Sequence, residues 1–219
     1  MIKLEYTQTF NWEGAIRGMR NPMNSWEMSD SPLGYAYGAI HTFKIGENDL
    51  DLAKRLAKAG SDHRKYMRQI IVSVDITAPL YWWKEFDTYK VGTTANSCST
   101  MHKIHSKAFE VEDFSCEHLF ENQPVPTTVL SPMQFLSGII RALNCCQEMY
   151  LETKDKAWWW QMIQLLPSSY NQKRTVTMNY ENLVKMYHAR KNHKLDEWHK
   201  FCEWIESLPY SEIITGVKG

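Results

Sequence analysis

Residues 84 to 105 read KEFDTYKVGTTANSCSTMHKIH, and this span gathers side chains able to do chemistry. Gly92 permits a backbone turn that other residues resist. Thr93, Thr94, Asn96, Ser97, Ser99 and Thr100 offer hydroxyls, an amide and backbone N–H groups suited to phosphate or carbonyl oxygens, and Lys90 adds a positive charge. Serine- and threonine-rich segments also cap the helix that follows them, and that is their commoner use. Both readings stand at this stage. A thiol nucleophile, Cys98 with His102 nearby, rests on chain proximity alone. A metal centre is not expected: His102 and His105 could share a helix face, but no HExxH or CxxC spacing completes a ligand set.

The elements that must position this span can be read from hydrophobic periodicity. Ile2, Leu4 and Tyr6 alternate with polar neighbours as in a half-buried strand, and a short helix before Asn21-Pro22 follows. Asn48 to Ala59 predicts a helix with Asn48 as cap, Asp49 and Asp51 in its positive first turn and Gly60 at its end. Ile70, Val72, Val74 and Ile76 form one face of a strand that runs into Ala78-Pro79, and PLYWWKEFDTY then predicts a helix. Leu136, Ile139, Ile140, Leu143 and Tyr150 mark a long helix after Ser131-Pro132, with DKAWWWQMIQLL as its antiparallel partner and Cys145-Cys146 as buried packing. KRTVTMNY has strand composition, and Leu195 to Leu208 closes the series as an amphipathic helix. The mixed order without βαβ regularity predicts an α+β protein with an antiparallel or mixed sheet, and no linker divides residues 1–219, so one domain is expected.

Composition narrows the function. Twenty-five basic and twenty-five acidic side chains balance to zero, so no overall field draws the chain to nucleic acid or to an anionic membrane. A phosphate ligand must be met by a local cluster. Five cysteines in no disulfide pattern, and no apolar run near ~18 residues, predict a cytoplasmic protein without a membrane span. Nine tryptophans and eleven tyrosines serve either the core or a surface that stacks on planar ligands, and Trp82, Trp83 and Tyr89 are the candidates for stacking.

The run from Ile70 through His102 resembles the core of the flavin-dependent thymidylate synthases, in which a strand leads to a helix ending in Arg-His-Arg and then to a Ser-x-Asn-x-x-Ser-x-Arg loop. Thr94, Asn96 and Ser99 fall on that loop's Ser, Asn and Ser. A second segment, from Leu165 to Trp198, is similar to the family's Leu-Pro, strand, Asn-x-Arg, helix, Leu-Arg series, with Asn179 and Arg190 at the family's spacing and His63 matching an upstream Gly-His. The resemblance implies a homotetramer with FAD where subunits meet, converting dUMP to dTMP with methylenetetrahydrofolate as carbon donor and NADPH as reductant. It also implies that no side chain attacks the base.

Residue by residue, the resemblance assigns Lys90, Ser97, Ser99, Thr100 and Arg190 to a nucleotide, and His63, Thr94, Asn96 and Asn179 to the cofactor. The chain departs from the family at its cations. Arg-His-Arg becomes Thr88-Tyr89-Lys90 or Tyr89-Lys90-Val91, Met101 replaces the arginine closing the loop, Ile163 replaces another before Leu-Pro, and Ser97 stands for a glutamate. Each charge-assisted phosphate contact removed costs ~1.5–3 kcal/mol. Lys103, Arg174, Lys191 and Lys194 are the cations available to compensate. The alternative is a homologue that binds a nucleotide or a partner without turnover.

Overall fold

The computed structural model describes residues 2–32, 43–126 and 128–217. Its strands are β1 (Lys3–Phe10), β2 (Ile71–Pro79), β3 (Thr94–Ser97) and β4 (Asn171–Asn179), in one antiparallel sheet ordered β1-β2-β4-β3. The helices, in chain order, are α1 (Trp12–Arg20), α2 (Glu47–Lys58), α3 (Leu80–Phe86), α4 (Pro132–Thr153), α5 (Lys156–Leu165), α6 (Tyr180–Arg190), α7 (Asp196–Ser207) and α8 (Glu212–Thr215). The protein is α+β, as the order of patterns predicts. The chain divides into two compact units, with boundaries inside all four strands and between Thr88 and Tyr89.

Unit 1 holds residues 1–3, 76–88 and 96–174. Its helical hairpin is specified locally. Ser131 and Gln134 form a capping box at the start of α4, Lys154 takes the left-handed conformation at φ 58°, and Asp155 caps α5 by accepting from Ala157 N–H at 2.9 Å. The faces that meet bury Leu136, Ile140, Leu143 and Met162 together with Phe109 and Phe114 from the preceding loops. Cys146 belongs to this core but Cys145 is exposed, so only one of the vicinal pair is packing. Trp82, Trp83 and Phe86 on α3 are buried and pack ring on ring at 4.9 to 5.2 Å. Truncating a buried aromatic of this kind to alanine costs about 3–5 kcal/mol.

Unit 2 holds residues 4–75, 89–95 and 175–219. Val72 and Val74 on β2 and Val176 and Met178 on β4 are buried at alternate positions, the period of a sheet with one face inward. Tyr180 N–H donates to Ile70 O at 3.1 Å, so α6 starts where the strand ladder ends. In β1 the alternation fails: Tyr6 is 77% exposed at φ 54°, on an edge strand that covers little. α2 begins at Glu47, earlier than the Asn48 cap predicts. Asp30, from outside the helix, accepts the N–H groups of Asn48 at 2.9 Å and Asp49 at 3.1 Å. Gly60 closes α2 at φ +114°, as predicted.

Asp49 is fully buried and accepts from Arg20 Nε and from the hydroxyls of Ser29 and Ser31, both at 2.6 Å. Burial raises its pKa, but the two hydroxyls and the guanidinium outweigh burial and hold the carboxyl below its ordinary value.

Candidate functional site

The predicted site residues divide between the units. Lys90, Thr94, Asn179, Arg190 and His63 lie in unit 2, and Asn96, Ser97, Ser99 and Thr100 in unit 1.

In unit 2 the segment Tyr89–Ala95 is seated on α6. Asn179 and Asn182 form a reciprocal capping box, the Asn179 side chain accepting from Asn182 N–H at 2.9 Å. Asn182 Nδ2 also donates to Val91 O at 2.6 Å. Gly92 sits directly over this pair at φ +74°, and a Cβ there would stand 2.8 Å from Asn182 Oδ1 and 3.1 Å from Asn179 Nδ2. Only glycine meets both demands, the left-handed backbone and the close approach. At the far end of α6, Arg190 Nε donates to the Tyr89 hydroxyl at 2.9 Å, with its guanidinium 5.5 Å from the Tyr89 ring centroid and 4.6 Å from that of Trp198. The two sequence segments singled out above therefore meet at both ends of one helix.

The turn leaves Lys90 and Thr94 exposed. His63 is exposed before a short 3-10 turn, Arg64–Arg68, whose Arg64 Nε donates to Glu181 Oε2 at 2.9 Å. Glu181 stands where the Asn-x-Arg pattern has its arginine. It is 4% exposed, and its Oε1 and the Oγ1 of Thr93 are buried without a hydrogen-bond partner among the described residues. Sequence reasoning missed this acid, though its place two residues after Asn179 was visible.

In unit 1 the loop after β3 is fastened to β4. Cys98 N–H donates to Lys173 O at 2.9 Å and Gln172 Nε2 donates to Cys98 O at 2.7 Å. Ser99 Oγ accepts from the N–H groups of Met101 at 3.1 Å and His102 at 2.9 Å, the local capping use of a loop serine. Those two N–H groups are thereby satisfied within the turn. Asn96 and Ser97 are exposed on β3, and Thr100 is half-buried. Arg174 lies over Trp83, its Cζ 4.1 Å from the ring centroid, and donates to Asp87 Oδ1 at 2.7 Å.

Other candidates resolve as structure. Trp82 and Trp83 are core residues, 0% and 1% exposed, and Tyr89 stacks on protein rather than on an open face. His105 packs edge-on against Tyr150, and no cluster of metal-ligating side chains occurs among the described residues.

No protein-family model matches the chain, and no curated protein matches it. Solved structures do. Thymidylate Synthase X from Helicobacter pylori, crystallised with FAD and dUMP, aligns with 99% of this chain and 98% of its own at 13% identity and a TM-score of 0.66. A second structure of the Helicobacter pylori enzyme, a flavin-dependent thymidylate synthase complexed with FAD and dUMP, gives the same score and identity over 99% of both chains. The UMP/dUMP methylase PolB from Streptomyces cacaoi, bound with 5-Br dUMP, aligns with 99% of this chain and 96% of its own at 16% identity and a TM-score of 0.62. The chain has the flavin-dependent thymidylate synthase fold. Identities this low establish the fold and leave the chemistry to the residues.

Proposed function

We propose that this protein binds a pyrimidine nucleotide of the dUMP class and methylates it as a flavin-dependent thymidylate synthase, with methylenetetrahydrofolate as carbon donor and NADPH as reductant. The observation that carries this reading is the seating of Tyr89–Ala95 on α6, which makes one assembly of the Gly92 turn, the Asn179 cap and Arg190. Its fold-level support is that the neighbours named above were crystallised with dUMP or its bromo analogue.

Lys90 and Arg190 would neutralise the nucleotide phosphate, and Ser97, Ser99 and Thr100 would offer hydroxyls to its oxygens. His63, Thr94, Asn96 and Asn179 would hold FAD. The donor set fits a planar group carrying both N–H and C=O edges. Thr93 Oγ1 and Glu181 Oε1 are buried without partners among the described residues. Bound FAD would supply the hydride. The chain's own groups orient the nucleotide and screen its charge, and no thiol or hydroxyl needs to attack the base.

A second reading, a homologue that binds a nucleotide or a partner without turnover, is favoured by Glu181. A buried carboxylate held by Arg64 puts negative charge in the first turn of α6, where an anionic ligand is best served by a cation or by bare N–H groups.

The assembly we propose is a homotetramer in the cytoplasm. Its support is an apolar groove of about 610 Å³ on unit 1, lined by Leu130, Phe135, Ile139, Ala142 and Leu165, together with five unbridged cysteines. No helix among the described residues is long and apolar enough to cross a membrane.

The decisive experiment is a melting scan of purified protein with dUMP and with FAD, followed by tritium release from dUMP labelled at the ring carbon that receives the methyl group. The enzymatic reading expects yellow protein, stabilisation by both ligands and tritium in water. Stabilisation by dUMP alone, with no release, supports nucleotide binding without turnover; no shift with either ligand overturns the enzymatic reading and favours partner binding.

A further inference from the structure

Arg174 in unit 1 is held on three sides. Its Nε donates to Gln172 Oε1 at 3.0 Å, its Nη1 to Asp87 Oδ1 at 2.7 Å, and its Cζ lies 4.1 Å from the ring centroid of Trp83, a residue only 1% exposed. Gln172 is itself buried and fixed, since its Nε2 donates to Cys98 O at 2.7 Å. The main chain of residue 172 also accepts from Trp83 Nε1 at 3.0 Å. One side chain thus separates the guanidinium from the backbone at the root of the Ser97–Thr100 loop.

This arrangement leaves both N–H groups of Arg174 Nη2 without a partner among the described residues. An unconstrained arginine gives up much rotamer freedom when it binds an anion, and here that loss has already occurred on folding. The Arg174 side chain is 15% exposed, and the Asp87 side chain facing it is 49% exposed. The half-exposed Asp87 carboxylate can turn into water, and a phosphate taking its place restores the counter-charge beside the guanidinium.

We propose that Arg174 is the anion fork of the Ser97–Thr100 loop, that its ligand is a phosphate monoester, and that Asp87 occupies the fork as a built-in competitor which the phosphate displaces. The ligand class rests on the nucleotide reading above; the fork itself rests on the geometry of unit 1. It places in this unit a cation that Met101 does not supply at the end of the loop.

The test is calorimetric titration of the full chain with inorganic phosphate, dUMP and deoxyuridine, for wild type, Asp87→Asn, Arg174→Lys and Arg174→Ala, with melting temperatures to verify folding. Asp87→Asn is expected to bind phosphate and dUMP severalfold more tightly. Arg174→Ala is expected to lose about tenfold or more for both ligands, and Arg174→Lys to fall between, because a lysine cannot form the planar fork. Deoxyuridine affinity should be the same in all four proteins. Phosphate should also change the tryptophan emission of wild type and leave that of Arg174→Ala unchanged, since Trp83 lies under the guanidinium.

If dUMP binds wild type, Asp87→Asn and Arg174→Ala alike, the fork is overturned and the nucleotide reading stands. If inorganic phosphate binds in an Arg174-dependent way but dUMP does not bind, the fork stands and the nucleotide reading fails. If neither phosphate nor dUMP binds wild type or Asp87→Asn, the fork is overturned.

Discussion

Arg190 and Tyr89, separated by 101 positions in the chain, are joined by a hydrogen bond of 2.9 Å from the guanidinium to the phenol, with the Trp198 ring 4.6 Å from the guanidinium carbon on Arg190's other contact. The bond ties the end of α6 to the start of the Gly92 turn. Removing the phenol oxygen in Tyr89→Phe should cost about 1.5–3 kcal/mol in urea denaturation, the worth of one hydrogen bond to a charged donor that keeps its aromatic neighbours. Arg190→Ala should cost more and should also weaken dUMP binding by about tenfold, read by calorimetry. An Arg190→Ala protein that binds dUMP as wild type does would remove Arg190 from the nucleotide site.

Gly92 is the position where the turn admits no side chain. Alanine there would sit at φ +74° with its Cβ 2.8 Å from Asn182 Oδ1. We expect Gly92→Ala to lower stability by about 1–3 kcal/mol, through strain and through displacement of the α6 cap. A Gly92→Ala midpoint in urea within error of wild type would show that the turn relaxes freely.

The Arg20–Asp49 pair makes stability depend on acid. Because the folded carboxyl titrates below its ordinary value of 3.8, its contribution is complete above that value and disappears as pH falls through the lower folded one. Asp49→Asn leaves the Arg20 guanidinium buried without a counter-charge, and at pH 7 it should cost about 3–5 kcal/mol. The gap between wild type and variant should narrow as pH is lowered below the carboxylate range. Urea midpoints of the two proteins at several pH values give the answer directly, and a gap that stays constant contradicts the assignment.

Thiol reactivity separates the cysteines by burial. Burial, aided by Glu206 and Glu203, pushes the Cys202 thiol up to about 11, so it is protonated and shielded at neutral pH. Cys98 and Cys145 are exposed. Brief treatment with iodoacetamide at pH 8 should label these two and spare Cys202 until denaturant is added, as peptide mass mapping would reveal. Early labelling of Cys202 would mean that α7 opens readily.

Much of this architecture is legible along the chain because burial and periodicity coincide. Ile70, Val72, Val74 and Ile76, chosen by alternation, are all 0–1% exposed, and the two helices predicted after Ser131-Pro132 and over DKAWWWQMIQLL form, capped by Ser131 and Asp155. β3 is not legible, since all four of its residues are exposed and no face distinguishes them from a loop. Glu181 is silent for another reason. An acid in the first turn of a helix looks like ordinary complement to the dipole, and only its burial against Arg64 sets it apart. The site is legible in its residue types but not in its pairings. Ser99 turns to its own backbone, the local use its residue type allows, but Arg190 turns to Tyr89, and Arg174 to Trp83 and Asp87, contacts made across chain separations that no local pattern encodes.

The cap of α2 has a consequence for how the protein comes to be folded. Because Asp30 accepts the first helical N–H groups from a distance, a synthetic peptide covering residues 43 to 60 lacks its own starting signal and should be largely coil in water. In the intact chain this helix can only become firm after the stretch around Ser29 to Ser31 has docked onto it, so α2 should be a late arrival during refolding, however strongly helical its sequence reads.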